Sequence, residues 1–214
     1  MIKNLILDFD GVILESNEVK TNAFKKLFQK YGIEIQKKVE SHHKNNGGMS
    51  RYEKIRLYYS NYLNQEIDDK FLDIKAKEFS DIVYKKIISS NYVKGFKNFI
   101  FNNNFETISI VTATPQNEII NILKELKIYS YFDDVYGSPR NKIELLEQLI
   151  RKRKFDLKQA LFIGDSINDY KAAQFHNILF ALRKNNENLN IRDLKVYMFN
   201  HFDDFNFEEL KNYS

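Results

Sequence analysis

"MIKNLILDFDGVILES", residues 1–16, opens with an apolar run that two acids interrupt one residue apart, Asp8 and Asp10. Residues 4–9 read as a short buried strand, too short for a helix and bounded by Gly11. Two desolvated carboxylates repel one another and resist joint ionisation, so a purely structural segment gains nothing from the pair. A partner elsewhere in the chain, or a ligand, is needed to hold them there.

From Ser16 to Gly32 the apolar positions Val19, Ala23, Phe24, Leu27, Phe28 and Tyr31 recur at three- and four-residue steps, which predicts an amphipathic helix. Between Ile33 and about Tyr92 there is no strand signal. The stretches "SRYEKIRLYYSNYL" and "DDKFLDIKAKEFSDIVYKKII" keep helical spacing, each beginning after a Ser or Asp. The pattern changes at 106–114, where "ETISIVTAT" is a β-branched run followed by Pro115 and a periodic helix. Short apolar runs at 133–138, 159–166 and 177–183 follow, separated by the helical stretches "NKIELLEQLIRKR" and "NDYKAAQFH". Strands alternating with helices of this length predict parallel βαβ units, hence a Rossmann-like parallel sheet. The all-helical block after the first strand reads as an insertion. The expected organisation is an α/β core of residues 1–14 and 93–214, with an α-helical cap of residues 15–92.

The composition limits the function classes. The 33 basic and 29 acidic residues leave a net charge of only +4, mixed along the chain, so neither a nucleic-acid stripe nor a polybasic tail is present. Without cysteine, a thiol nucleophile, a disulfide and a thiolate metal site are excluded. Any metal must sit on oxygen or imidazole. The N-terminal apolar stretch breaks before signal-peptide length and no later run approaches about 18 apolar residues, so no membrane span is predicted and a cytoplasmic location is expected.

In an open parallel sheet the ligand site lies beyond the carboxyl ends of the strands. Asp8 and Asp10 close the first strand, Thr112 and Thr114 the second, and Gly137 and Ser138 the third. Asp165, Ser166 and Asp169 follow the fourth, and Lys142 stands just past the third.

The segments "DFDGVI", "SIVTAT", Lys142 in "GSPRNKIELL" and "GDSINDYKAA" resemble, in order and spacing, the four motifs of the haloacid dehalogenase superfamily. The helical block is similar to its small α-helical cap, as in phosphoglycolate-phosphatase-like and β-phosphoglucomutase-like members. The resemblance implies a magnesium-dependent phosphohydrolase acting on a small phosphorylated metabolite, a sugar phosphate or sugar-acid phosphate. It implies no nucleic-acid or membrane partner, and a monomer or dimer. Mg2+ would be held by Asp8, the backbone carbonyl of Asp10 and Asp165, with Asp169 outside the direct ligands, orienting Lys142 or a metal-bound water. Asp8 is then the nucleophile that becomes an aspartyl phosphate, while Asp10, protonated at first, serves as acid and later base. Thr112, the backbone at Ala113 and Lys142 would hold the phosphoryl group. Asp10 favours phosphate-ester chemistry, because dehalogenases and phosphonatases lack that acid. A phosphomutase of the β-phosphoglucomutase type is the alternative, and a non-catalytic binding protein with a degenerate site is a third reading.

The cap carries the specificity expectations. Gly47 and Gly48 permit a loop that approaches closely, and Arg51 follows at a helix start. In β-phosphoglucomutase-like relatives a cap "SR" pair contacts the substrate's anionic group. The resemblance places Ser50 and Arg51 in that role, against the alternative of a helix-start arginine paired with Glu53 or a nearby acid. His42 and His43, without further ligands, read as surface residues of the cap. Tyr58, Tyr59 and Tyr62 read as its core. The helix after the fourth motif ends on "FHN", where the family usually has Gly, and Asn177 is expected to take the left-handed turn.

Overall fold

The computed structural model describes residues 1–213. Six parallel strands form one sheet in the order β3-β2-β1-β4-β5-β6. They are β1 (Asn4–Leu7), β2 (Thr107–Pro115), β3 (Asp134–Ser138), β4 (Ala160–Gly164), β5 (Leu179–Arg183) and β6 (Tyr197–Phe199). Successive strand residues point to opposite faces, and both faces are dry. Leu5, Leu7, Ile110, Leu161, Ile163 and Ala181 join one apolar cluster. Ile6, Val111, Phe162, Phe180 and Leu182, their neighbours in sequence, join the other. This two-sided burial is what the uninterrupted apolar runs anticipated.

Of the helices between β1 and β2, the first four make up the helical block: α1 (Asn17–Leu27), α2 (Ile33–Asn45), α3 (Arg51–Leu63) and α4 (Asp69–Ile88). The first ends earlier than its periodicity predicted, because the chain tightens into a 3-10 turn at Gln29–Tyr31 before Gly32 at φ 92°. Ser50 and Glu53 form a reciprocal capping box at the start of α3, and Asp68 caps α4. Tyr58 and Tyr59 are fully buried, with Phe24 and Phe28 edge-on to Tyr58. The two strands of chain leading into and out of the block run side by side. Leu14 and Tyr92 form an antiparallel bridge, with Glu15 N donating to Asn91 O at 2.9 Å and Val93 N to Ile13 O at 3.0 Å.

The remaining helices are α5 (Phe96–Asn102), α6 (Gln116–Glu125), α7 (Lys142–Arg153), α8 (Ile167–Phe175) and a short α9 (Phe207–Leu210). Pro115 ends β2 and stands as the residue before α6 rather than as its first residue. Asn177 has φ 54°, the left-handed turn expected of it. No helix among the described residues is long and apolar enough to cross a membrane.

Candidate active site

The register of the central strands brings the acids together. Leu7 of β1 pairs with Ile110 of β2 and Ile163 of β4, so the residues that follow these positions emerge at one edge. Asp8, Asp165 and Asp169 present carboxylate oxygens within 4.8 Å of one another, and all three are buried. Gly11 makes this possible. At φ 73°, a Cβ there would lie 2.1 Å from Asp165 Oδ2, so only glycine lets the loop after β1 rest against that carboxylate.

Lys142, the first residue of α7, lies between Asp8 and Asp169. Its Nζ is 2.6 Å from Asp8 Oδ2 and also donates to Asp169 Oδ1. Asp169 accepts in addition from Ser166 N at 3.0 Å and Ser166 Oγ at 2.5 Å. Burial raises Asp8 to about 6; Lys142 opposes that, while Asp169 and Asp10 add to it. Asp165 is pushed up to about 8, first by burial and then by Asp8 and Asp169. Two amides hold its Oδ2, Asn17 Nδ2 at 2.5 Å and Asn185 Nδ2 at 2.7 Å. Burial would lower Lys142, but Asp169 and Asp8 outweigh it and raise the ammonium above its ordinary range.

Asp10 is set apart from this cluster. Its Oδ1 accepts from Ser16 Oγ at 2.7 Å, and its Oδ2 from Thr114 Oγ1 at 2.9 Å and from the ammonium of Lys20. Lys20 also donates to Thr114 Oγ1 at 2.8 Å. Burial pushes Asp10 up, but Lys20, Ser16 and Thr114 together bring it below its ordinary value. The acid expected to be protonated at the outset is instead held below its ordinary value in this arrangement, with the ammonium of Lys20 beside it.

A cavity of about 70 Å3 lies at this edge, bounded by Asp8, Asp10, Thr112, Ala113 and Asp165. Lys142 stands behind the carboxylates rather than on the cavity wall. The helical block closes the other side. Gly48, at φ 74°, comes so near that a Cβ would meet Ser166 Oγ at 2.5 Å, and Asn168 Nδ2 donates to Gly47 O at 2.7 Å.

Two expectations are corrected. Arg51 is not on the cavity wall: its Nη1 and Nη2 donate to Glu118 Oε2 and Oε1 on α6 at 2.8 and 2.6 Å, and Nη1 also donates to Ser80. Its nearby acid is thus Glu118, while Glu53 is used in the cap of α3. His43 is not a surface residue; it is buried and borders the cavity. Thr114 is Asp10's hydrogen-bond partner, whereas Thr112 faces the cavity. Sequence reasoning missed Lys20 and Asn17, whose only signal was a polar residue on the expected inner face of α1, and Asn185, which lies in the loop after β5 with no signal of its own.

Residues 5–182 match the haloacid dehalogenase-like hydrolase family. The chain belongs to that family. Among solved structures of the same fold are β-phosphoglucomutase from Clostridium difficile, with a TM-score of 0.78 at 23% identity over 99% of this chain and 96% of that one. A putative phosphoglycolate phosphatase from Lactobacillus plantarum gives 0.76 at 19% identity, over 95% and 97% of the two chains. CbbY from Rhodobacter sphaeroides, solved with phosphate, gives 0.76 at 13% identity over 99% and 100%. No curated protein matches this haloacid dehalogenase-like hydrolase in sequence.

Proposed function

We propose that this hydrolase is a magnesium-dependent phosphatase acting on a small phosphorylated metabolite, with Asp8 as nucleophile. The observation that carries the reading is the division of the acids. Asp8 shares a buried oxygen cluster with Asp165 and Asp169, while Asp10 is held apart on Lys20 and Thr114. That division supports a reading in which one carboxylate attacks and the other handles a proton.

The oxygen cluster fits a hard divalent cation. Asp8 and Asp165 are buried carboxylates, both raised first by burial, and Asp8 raises Asp165 further, an unfavourable contact that a shared cation relieves. Asp8 and Asp165 would hold Mg2+ with the Asp10 carbonyl; Asp169 has both oxygens engaged by Lys142 and Ser166, which suits it to positioning. When bound, the cation supplies charge neutralisation at the phosphoryl oxygens.

The residues then divide the work. Asp8 Oδ forms a bond to phosphorus as the bond to the leaving oxygen breaks, giving an aspartyl phosphate. Lys142 balances charge on Asp8, and Thr112 with the amide at Ala113 offers donors to the phosphoryl oxygens. Asp10 delivers a proton to the leaving oxygen, drawing it from Lys20, and then takes one from the water that opens the aspartyl phosphate. The helical block α1–α4 acts as a cap. At about 70 Å3 the cavity it covers is smaller than the few hundred Å3 usual for ligand sites, which fits a cap that opens to admit substrate.

The test is a screen of phosphorylated metabolites with magnesium, in which stoichiometric release of inorganic phosphate is expected. Isomerised sugar phosphate without phosphate release would favour the mutase reading instead.

A further inference from the structure

Among the described residues, the buried and half-buried cations that serve the core have carboxylate partners, with one exception. Lys142 has Asp8 and Asp169, Lys20 has Asp10, Arg51 has Glu118, and Arg183 has Glu15. Lys54, on α3, is only 2% exposed, and among the described residues no carboxylate lies within ion-pair distance of it. Its Nζ meets His43 Nδ1 at 2.9 Å and His43 O at 3.5 Å, and lies 5.8 Å from the centre of the Phe24 ring. Both Lys54 and His43 border the cavity, on the helical side opposite the aspartates.

An ammonium buried without a counter-ion is costly, and a chain that needed only packing there would place an apolar side chain. We propose that Lys54, positioned by His43, is a specificity-determining residue that receives a second anionic group, phosphate or carboxylate, at the far end of the phosphomonoester from Asp8. The proposal rests on the phosphatase reading and adds the substrate's class to it. Lys54 uses its hydrogen on His43 Nδ1, which fixes that nitrogen as acceptor and leaves Nε2 carrying the ring proton. A second hydrogen reaches the long contact to His43 O at 3.5 Å, and the third has no partner among the described residues and can turn toward the cavity. This subsite is separate from Arg51, whose guanidinium is occupied by Glu118.

The electrostatic setting agrees. Burial first, and then the nearby Lys20, bring Lys54 down to about 7, against the weaker opposing pull of Glu187 and Glu53. His43 is held well below its ordinary value by burial and by Lys54. An arriving anion favours the charged form and raises Lys54 again, so the ligand supplies the counter-ion that the protein withholds.

The experiment compares wild type with Lys54→Met, which keeps the stem and removes the charge, on p-nitrophenyl phosphate, a hexose bisphosphate and 2-phosphoglycolate in magnesium. The ratio of kcat/KM for an anion-bearing substrate over p-nitrophenyl phosphate should fall 10- to 100-fold in the variant, through KM. The hexose bisphosphate and phosphoglycolate arms report which second anion fits. The melting temperature of Lys54→Met should match or exceed that of wild type, since an unpaired buried charge is gone. An unchanged ratio, or a lowered melting temperature with an unchanged ratio, would overturn the subsite and make Lys54 a packing residue. Wild type that hydrolyses p-nitrophenyl phosphate but prefers monoesters with uncharged tails would also overturn it, leaving the phosphatase reading intact. Failure of wild type to release phosphate from any of these esters would instead remove the phosphatase reading itself.

Discussion

Arg51 and Glu118 join α3 to α6 through two parallel hydrogen bonds of 2.8 and 2.6 Å, with side-chain exposures of 4% and 10%. The Phe79 ring lies 4.7 Å from the guanidinium carbon, so the pair sits in an apolar seam. This fork is a bidentate link between the helical block and the rest of the chain. Removing one member strands the other charge: Glu118→Ala should cost about 3–5 kcal/mol of stability in urea unfolding. The double variant Arg51→Met with Glu118→Met should recover most of that loss. A cost below about 1 kcal/mol for the single change would mean that water screens the pair.

Asp8→Asn should abolish phosphate release while the protein stays folded. A neutral amide is neither a nucleophile for phosphorus nor a good magnesium ligand. Lys142 keeps Asp169 as its counter-ion, and the repulsion with Asp165 is relieved. Circular dichroism and kcat measured together decide this. Activity within tenfold of wild type would rule out Asp8 as the nucleophile.

The acids also make metal binding depend on pH. Asp8 and Asp165 are raised from 3.8 to about 6 and about 8. Above 3.8 the unfolded chain has released these protons while the folded protein still holds them, so they stabilise the metal-free protein most at low pH. That contribution is lost as pH rises, first through about 6 and then about 8. Magnesium must displace the same protons and relieves the repulsion that replaces them. The rise in melting temperature on adding magnesium should therefore grow from pH 5 to pH 8, and Asp165→Asn should remove most of it. A magnesium shift independent of pH would show that these carboxylates do not hold the ion.

Lys20 should reveal itself through the leaving group. If Asp10 draws its proton from Lys20, then Lys20→Met should slow hydrolysis of alkyl phosphates, whose alkoxide needs protonation, more than that of p-nitrophenyl phosphate, whose phenolate departs readily. A difference of 10-fold or more is expected. Equal losses on both would assign Lys20 to placing Asp10 rather than to the proton.

Gly48 can be tested by adding one carbon. Its φ of 74° disfavours other residues, and a Cβ would lie 2.5 Å from Ser166 Oγ. Gly48→Ala should hold the loop away from α8 and lower kcat at least 10-fold, with the melting temperature falling only a few degrees. Unchanged kcat would show that the close approach is not part of the working state.

The strand-end acids were legible because chemistry makes them conspicuous. Charges at the end of an apolar run have few structural explanations, and four strands delivering polar residues to one edge have fewer. What escaped notice depended on contacts distant in sequence. Arg51 and Glu118 are 67 residues apart, and nothing local tells an arginine at a helix start which acid it will meet. Lys20 and Lys54 look like ordinary helix lysines, since periodicity marks apolar positions and is silent about a cation turned inward. His43 differs from His42 only by the face of α2 it occupies, which the three-dimensional packing decides. The edge strand β6 has three residues and α5 seven, too few for a pattern to stand out.

The bridge between Leu14 and Tyr92 has a wider meaning. Because the chain departs and returns at adjacent points, the β1–β2 pairing of the sheet is formed as though the intervening helices were a side branch. The branch therefore behaves as a graft on a finished stock. Helices of another length or composition could be joined at the same two points without altering the sheet's register, and recognition could be rewritten there while the carboxylates at the strand ends kept their places.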